Sequence, residues 1–241
     1  MDSRLEQILG AIIREYTCNA EPVSSQLLCG KYDLGISPAT IRSVMTILEK
    51  EGYLEQPHTS AGRIPTGKAY RYFVDNLGEA RGKILSTKET EYIDGKMESS
   101  KKEPREKAKC VAEVISEMSD NLAIGGVVDT GEFYKIGMSS LFDMPEFHEY
   151  ERARRIVAIM EEFDRQFDRI LSRFLDGEIE ILIGRENPIR RIQDETVIAT
   201  RFPLPGGYHG AAFMIGPIRM QYEKNIALMR YISQKMNDQV I

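Results

Sequence analysis

The chain has 241 residues, 42% apolar and 29% charged, the balance of a folded protein and not of a disordered one. Its length suits one or two domains with a core that needs no disulfide or metal. A net charge of −5, from 32 basic and 37 acidic residues, excludes indiscriminate coating of nucleic acid by the whole molecule. No apolar run approaches the ~20 residues that span a bilayer. The start MDSRLEQ leads into no apolar segment of the signal-peptide kind. Cys18, Cys29 and Cys110 form no C-x-x-C pair, so neither a disulfide framework nor a zinc site is expected. The expectation is a reduced, cytoplasmic protein with no membrane association.

Leu5, Ile8, Leu9, Ile12, Ile13 and Tyr16 fall on one helical face. Ser3 with Glu6 has capping-box spacing, which predicts a helix starting near Ser3. A second helix is predicted after Glu21-Pro22-Val23, with Ser24 as N-cap and Val23 stapled to Leu28, ending near Tyr32. Ser37 as cap and Pro38 as first helical residue start a third, in which Ile41, Val44, Met45 and Leu48 form the buried stripe. Gly52 is placed to stop it. Extended segments near Tyr53–Pro57 and Arg63–Pro65 flank the turn Thr59-Ser60-Ala61-Gly62. Thr66 should cap a fourth helix reaching Leu77. Three helices followed by a hairpin is the order of a winged helix-turn-helix.

Beyond Leu77 the chain changes character. Residues 98–107 (ESSKKEPREK) read as an exposed linker or a loop between two helices, and 79–110 as a helical, charged linker. A helix should follow with Val111, Val114, Ile115, Met118 and Leu122 as its stripe, then a hairpin over Gly125–Gly137. Residues 145–176 carry a long helical pattern that includes Phe147, Ile156, Met160, Phe167, Ile170, Leu171 and Phe174; one helix and two are equally compatible with it. Strands are predicted at Glu178–Gly184, Val197–Phe202 and Tyr208–Ile215, the last two joined through Gly206-Gly207. A closing helix spans Met220–Met236. The second half is therefore α+β with an antiparallel sheet.

Chemistry concentrates in the first 78 residues, where eight Lys and Arg stand against nine Asp and Glu. Opposite the buried stripe of the third helix lie Ala39, Arg42, Ser43 and Thr46, with Thr40 beside them and Ser37 at the cap. Glu49 and Glu51 come only at the helix end. Such a slim, acid-free face with one long donor suits base edges in a major groove, and free amides at Ser37 suit a phosphate. Residues 57–74 contain Arg63, Lys68 and Arg71 and no acid. With His58, Thr59 and Ser60 they make a candidate wing and flank, in which hydroxyls and cations meet phosphates and Gly62 allows close approach. Gly62 to Lys68 nearly spells a P-loop, but Ala69 stands where a magnesium-holding hydroxyl belongs. No G-x-S-x-G, H-E-x-x-H or G-x-G-x-x-G occurs. No catalytic residue, metal site or cofactor is expected.

The stretches EPVSSQLL, SPATIR, LEKEGYLEQPHTSAGRIPT and YRYFVDNL resemble the N-terminal domain of the HrcA family of heat-inducible transcription repressors. MPEF, IGRENP and IGPIRMQY resemble later segments of that family, in the same order. The resemblance implies an α+β chain: a winged helix-turn-helix over 1–78, followed after the linker by a GAF-like domain over 111–241. It implies a homodimer on an inverted-repeat operator upstream of chaperone genes, and a GroEL-type chaperonin as partner. The recognition helix would fall on Ser37–Lys50 and the wing on Pro57–Pro65. Between Asn121 and Met144 the chain is much shorter than the family, which implies loss of most of an inserted dimerisation domain. The alternative is a winged-helix regulator whose GAF-like domain senses a small molecule.

Overall fold

In the computed structural model, which describes residues 2–77, 85–166 and 178–238, helix α1 spans Ser3–Asn19. Its cap is Asp2 and not Ser3. Asp2 is extended and its carboxylate accepts from the Arg4 amide at 3.1 Å, while Ser3 is already helical. Glu6 is drawn elsewhere and accepts from the Tyr72 hydroxyl. Helix α2 (Ser25–Lys31) starts as expected, with Ser24 Oγ accepting from the Leu27 amide at 3.1 Å and both Val23 and Leu28 buried. Helix α3 (Pro38–Lys50) is capped by Ser37, whose hydroxyl accepts from the Thr40 amide at 3.2 Å. It ends in a Schellman motif. Gly52, at φ +77°, lets its own amide donate to Glu49 O at 2.9 Å and the Tyr53 amide to Leu48 O at 2.8 Å.

Strands β1 (Leu54–Glu55) and β2 (Ile64–Pro65) pair antiparallel, Leu54 with Pro65 and Glu55 with Ile64. A third rung comes from Val23, which bridges to Arg63. Helix α4 (Gly67–Asp75) is capped by Thr66 and stops two residues short of Leu77, which is buried all the same. Ile8, Ile12, Leu28, Ile41, Leu48 and Tyr70 are buried here. These elements belong to one of two compact units, Met1–Ala80; the other is Arg81–Ile241.

The second unit begins earlier than the expected linker allows. Helix α5 (Thr87–Ser99) has a complete capping box between Ser86 and Glu89 and buries Ile93 and Met97. Helix α6 (Pro104–Ser119) follows after a short turn. Both helices thus fall inside this unit, and the charge run 98–107 covers the end of α5, the turn between the helices and the first turn of α6. Asp120, at φ +56°, ends α6, so Leu122 opens strand β3 (Leu122–Val127) and does not continue the helix. There follow β4 (Glu132–Ile136), α7 (Met138–Phe142) and α8 (Tyr150–Gln166). Then come β5 (Ile179–Ile183), β6 (Glu195–Leu204), β7 (Tyr208–Pro217) and α9 (Tyr222–Asp238). Phe167, Ile170, Leu171 and Phe174 of the long helical pattern lie outside the described residues.

The five strands form one antiparallel sheet in the order β4-β3-β7-β6-β5. Alternation along each strand sorts its residues to two faces. Leu122, Ile124, Val197, Ala199, Phe213 and Ile215 meet Ile156, Ile159 and Met160 of α8 in one core cluster. The opposite parity faces α9, where the Thr196 and Tyr222 hydroxyls bond at 2.7 Å and Thr200 donates to Ser233 at 3.3 Å. Both sheet faces are therefore covered, the GAF-like α+β arrangement.

Candidate nucleic-acid interface

The outer face of α3 is built by its own cap and period. Ser37, Ala39, Arg42 and Ser43 are exposed, and Thr40 and Thr46 are half-buried. The hydroxyls fold back on the helix: Ser43 Oγ donates to Ala39 O at 3.2 Å and Thr46 Oγ1 to Arg42 O at 3.0 Å. Ser37 and Thr40 hydroxyls lie 3.0 Å apart. This keeps the face slim, while each hydroxyl oxygen retains lone pairs for an outside donor. Arg42 makes no ion pair among the described residues. It lines a shallow cleft with Ser24, Ser25, Gln56, Thr59 and Ser60, between the start of α2 and the hairpin loop.

Sequence reasoning missed two residues of this surface. Lys50 is exposed and stands eleven residues after Ala39, in line with Ser43 and Thr46; continuing the i+4, i+7 count would have found it. Gln56 shapes the loop: its side-chain amide donates to Thr59 O and to Ala61 O, each at 2.9 Å. With the Ala61 amide on His58 O at 2.8 Å, this fixes the turn and leaves His58, Thr59 and Ser60 exposed.

The cations of the hairpin and its flank are less free than an acid-free stretch suggests. Arg63 is turned inward: its side chain is 17% exposed and gives two bonds to Glu49 Oε2, from Nε at 3.0 Å and Nη2 at 2.9 Å. Lys68 is exposed, donates to Glu51 O at 2.7 Å and sits over the Tyr53 ring at 4.3 Å, closing the carbonyl end of α3. Arg71 pairs with Asp75 at 3.3 Å. The acids come from just outside residues 57–74, which is why the composition of that window hid them. Gly62 serves packing: a Cβ there would stand 2.4 Å from Val23 O, so its close approach is to the chain itself.

Two clusters of ionisable groups brace the helices behind this face. Glu15, buried on α1, accepts from the Tyr32 hydroxyl at 2.7 Å and from Lys31 Nζ at 2.8 Å. The Lys31 bond outweighs burial and holds its carboxyl below the ordinary range. Burial, then the bond to Glu15, pushes the Tyr32 phenol up to about 12. The bond to Glu6 does the same to Tyr72, also to about 12. Among the described residues no group of three or more His, Cys, Asp or Glu could hold a metal ion, and no helix is long and apolar enough to cross a membrane.

Helix-turn-helix, hairpin wing and a five-stranded α+β unit in one chain define a winged-helix protein with a GAF-like second domain. The family model described as the HrcA protein C-terminal domain matches residues 76–226. The chain belongs to the HrcA family. The heat-inducible transcription repressor HrcA of Acetivibrio thermocellus is 27% identical over 343 aligned positions, covering all of this chain and 96% of the relative. That of Carboxydothermus hydrogenoformans is 28% identical over 335, covering 99% and 98%. Such alignments over a chain of 241 residues leave roughly a hundred positions of each relative without a counterpart here. A crystal structure described only as a hypothetical protein at 2.2 Å resolution shares the fold, with a TM-score of 0.79 at 17% identity over 99% of this chain and 98% of that one.

Proposed function

We propose that the chain is a heat-responsive transcription repressor that acts by binding DNA and not by catalysis. Residues 1–78 form its DNA-binding domain and the second unit a reduced GAF-like domain without most of the family's inserted dimerisation domain. The observation that carries this reading is the outer face of α3, which has one unpaired guanidinium, folded-back hydroxyls, a lysine at its far end and no carboxylate before Glu49. In the major groove, Arg42 can donate in bidentate fashion to guanine O6 and N7. Ala39 and Ser43 allow the helix close approach. Thr59, Ser60 and the remaining donors of Lys68 face phosphates, which set register without reading sequence.

A two-fold dimer would present two such helices to an inverted repeat. Release on heating accords with the names of the relatives, heat-inducible repressors; a GroEL-type chaperonin as partner is what the sequence resemblance implies. Selection of duplexes from a random pool by the full chain tests the reading. Enrichment of an inverted repeat whose binding weakens steeply with salt is expected; a pool that stays random after repeated rounds counts against it.

A further inference from the structure

Arg63 looks from sequence like a cation for DNA, yet its side chain is turned inward onto α3. Its guanidinium bonds to Glu49 of α3 through both Nε and Nη2. Its backbone exchanges two hydrogen bonds with Val23, amide to carbonyl in each direction, both at 2.9 Å. The neighbouring Gly62 lies so close to Val23 O that no Cβ fits. One residue therefore ties three parts together: the hairpin base, the segment entering α2, and the last turn of α3. Beyond that joint, the Gln56 amide sets the loop that carries Thr59 and Ser60.

We propose that Arg63 is a positioning residue and not a DNA contact: paired with Glu49, it fixes the direction of the wing relative to the recognition helix. The inference rests on the DNA-binding reading and sharpens it. Without the pair, the hairpin keeps the rungs of β1 and β2, the Val23 bridge and the Thr66 bonds to the Gly52 and Tyr53 carbonyls, but loses its ion pair to α3. Its loop would then sample several directions, and binding would carry the entropy of choosing one. Glu49 makes the distinction testable because the two roles give opposite signs. If Arg63 touches phosphate, removing Glu49 frees a cation and deletes a repelled anion, so affinity rises. If Arg63 positions the wing, removing Glu49 loosens it, so affinity falls.

The experiment measures affinity of the full chain for duplexes it selects from a random pool, across a salt series, with thermal melts alongside. Arg63→Ala and Glu49→Ala should each weaken binding by at least about tenfold, and their combination little further, because both break one joint. The charge reversal Glu49→Arg with Arg63→Glu should return affinity to within about threefold of the parent. The salt slope of Arg63→Ala should match the parent, since no phosphate contact is lost; a slope shallower by about 0.9 marks a lost contact and overturns the proposal. Tighter binding by Glu49→Ala also overturns it, as does a folded reversal variant as weak as Arg63→Ala. The salt slope decides the matter even where the reversal variant does not fold. A parent chain that selects no sequence removes the DNA-binding reading itself, an outcome distinct from all of these.

Discussion

Glu15 shows how much of the recognition surface depends on a residue that never meets a ligand. It is 4% exposed and holds Lys31 and Tyr32, the end of α2, against α1. Its carboxyl titrates below the ordinary value of 4.5. A group lowered on folding stabilises above its unfolded pKa and loses that contribution as pH falls through the folded one. Thermal stability of the first unit should therefore drop below about pH 4.5, and Glu15→Gln should flatten that drop; an unchanged acid limb in the variant would speak against it. At neutral pH, Glu15→Ala strands the Tyr32 hydroxyl and should cost about 1–3 kcal/mol in a denaturant titration. Arg42→Ala should cost about 1–3 kcal/mol on a selected duplex and little on unrelated DNA, because an unpaired guanidinium on a slim face contributes through one base pair. Equal losses on both duplexes would make Arg42 a phosphate contact instead.

At the scale of elements, the pairing of α8 with the sheet makes the sharpest case. Arg152 of α8 donates from Nε and Nη2 to Glu195 at 2.9 and 2.6 Å, and from Nη2 to Asp194 O at 2.7 Å. Arg155 adds a bond to Asp194 at 2.9 Å. Glu195 is 1% exposed. Breaking such a pair from one side strands a guanidinium that is only 16% exposed, so Glu195→Ala should cost about 3–5 kcal/mol. Replacing both partners, as Arg152→Met with Glu195→Leu, should cost clearly less, because neither charge is left buried. Equal losses by denaturant titration would show that packing of α8, and not its charge, sets the effect.

The elements themselves were legible wherever the signal was local. Ser24, Ser37 and Thr66 act as caps, and Gly52 stops α3, because a cap is decided within four residues. What escaped depends on distance along the chain. Glu49 and Arg63 lie fourteen residues apart, and the Val23 rung joins segments forty apart. Helix α5 was absorbed into a linker because only Ile93 and Met97 mark its buried side. Leu122 continues the apolar spacing of α6, and only the left-handed Asp120 shows that the helix has ended.

On the scale of the whole molecule, a small winged unit and a larger α+β unit share one chain, and the relatives carry roughly a hundred positions that have no counterpart in it. An inverted repeat requires two recognition helices, so the protein should bind its duplex as two chains. Sedimentation of the complex should show that stoichiometry; a stable complex of one chain per duplex would break the two-fold picture. The claim on which the rest depends is that the outer face of α3 enters a major groove. Methylation interference on the selected duplex tests it most directly, since methyl groups on guanine N7 block the major groove and those on adenine N3 the minor groove. The expected result is interference at guanine N7 in both half-sites, lost at one position in Arg42→Ala. Interference confined to adenine N3, or a guanine pattern identical in the Arg42→Ala variant, would contradict it.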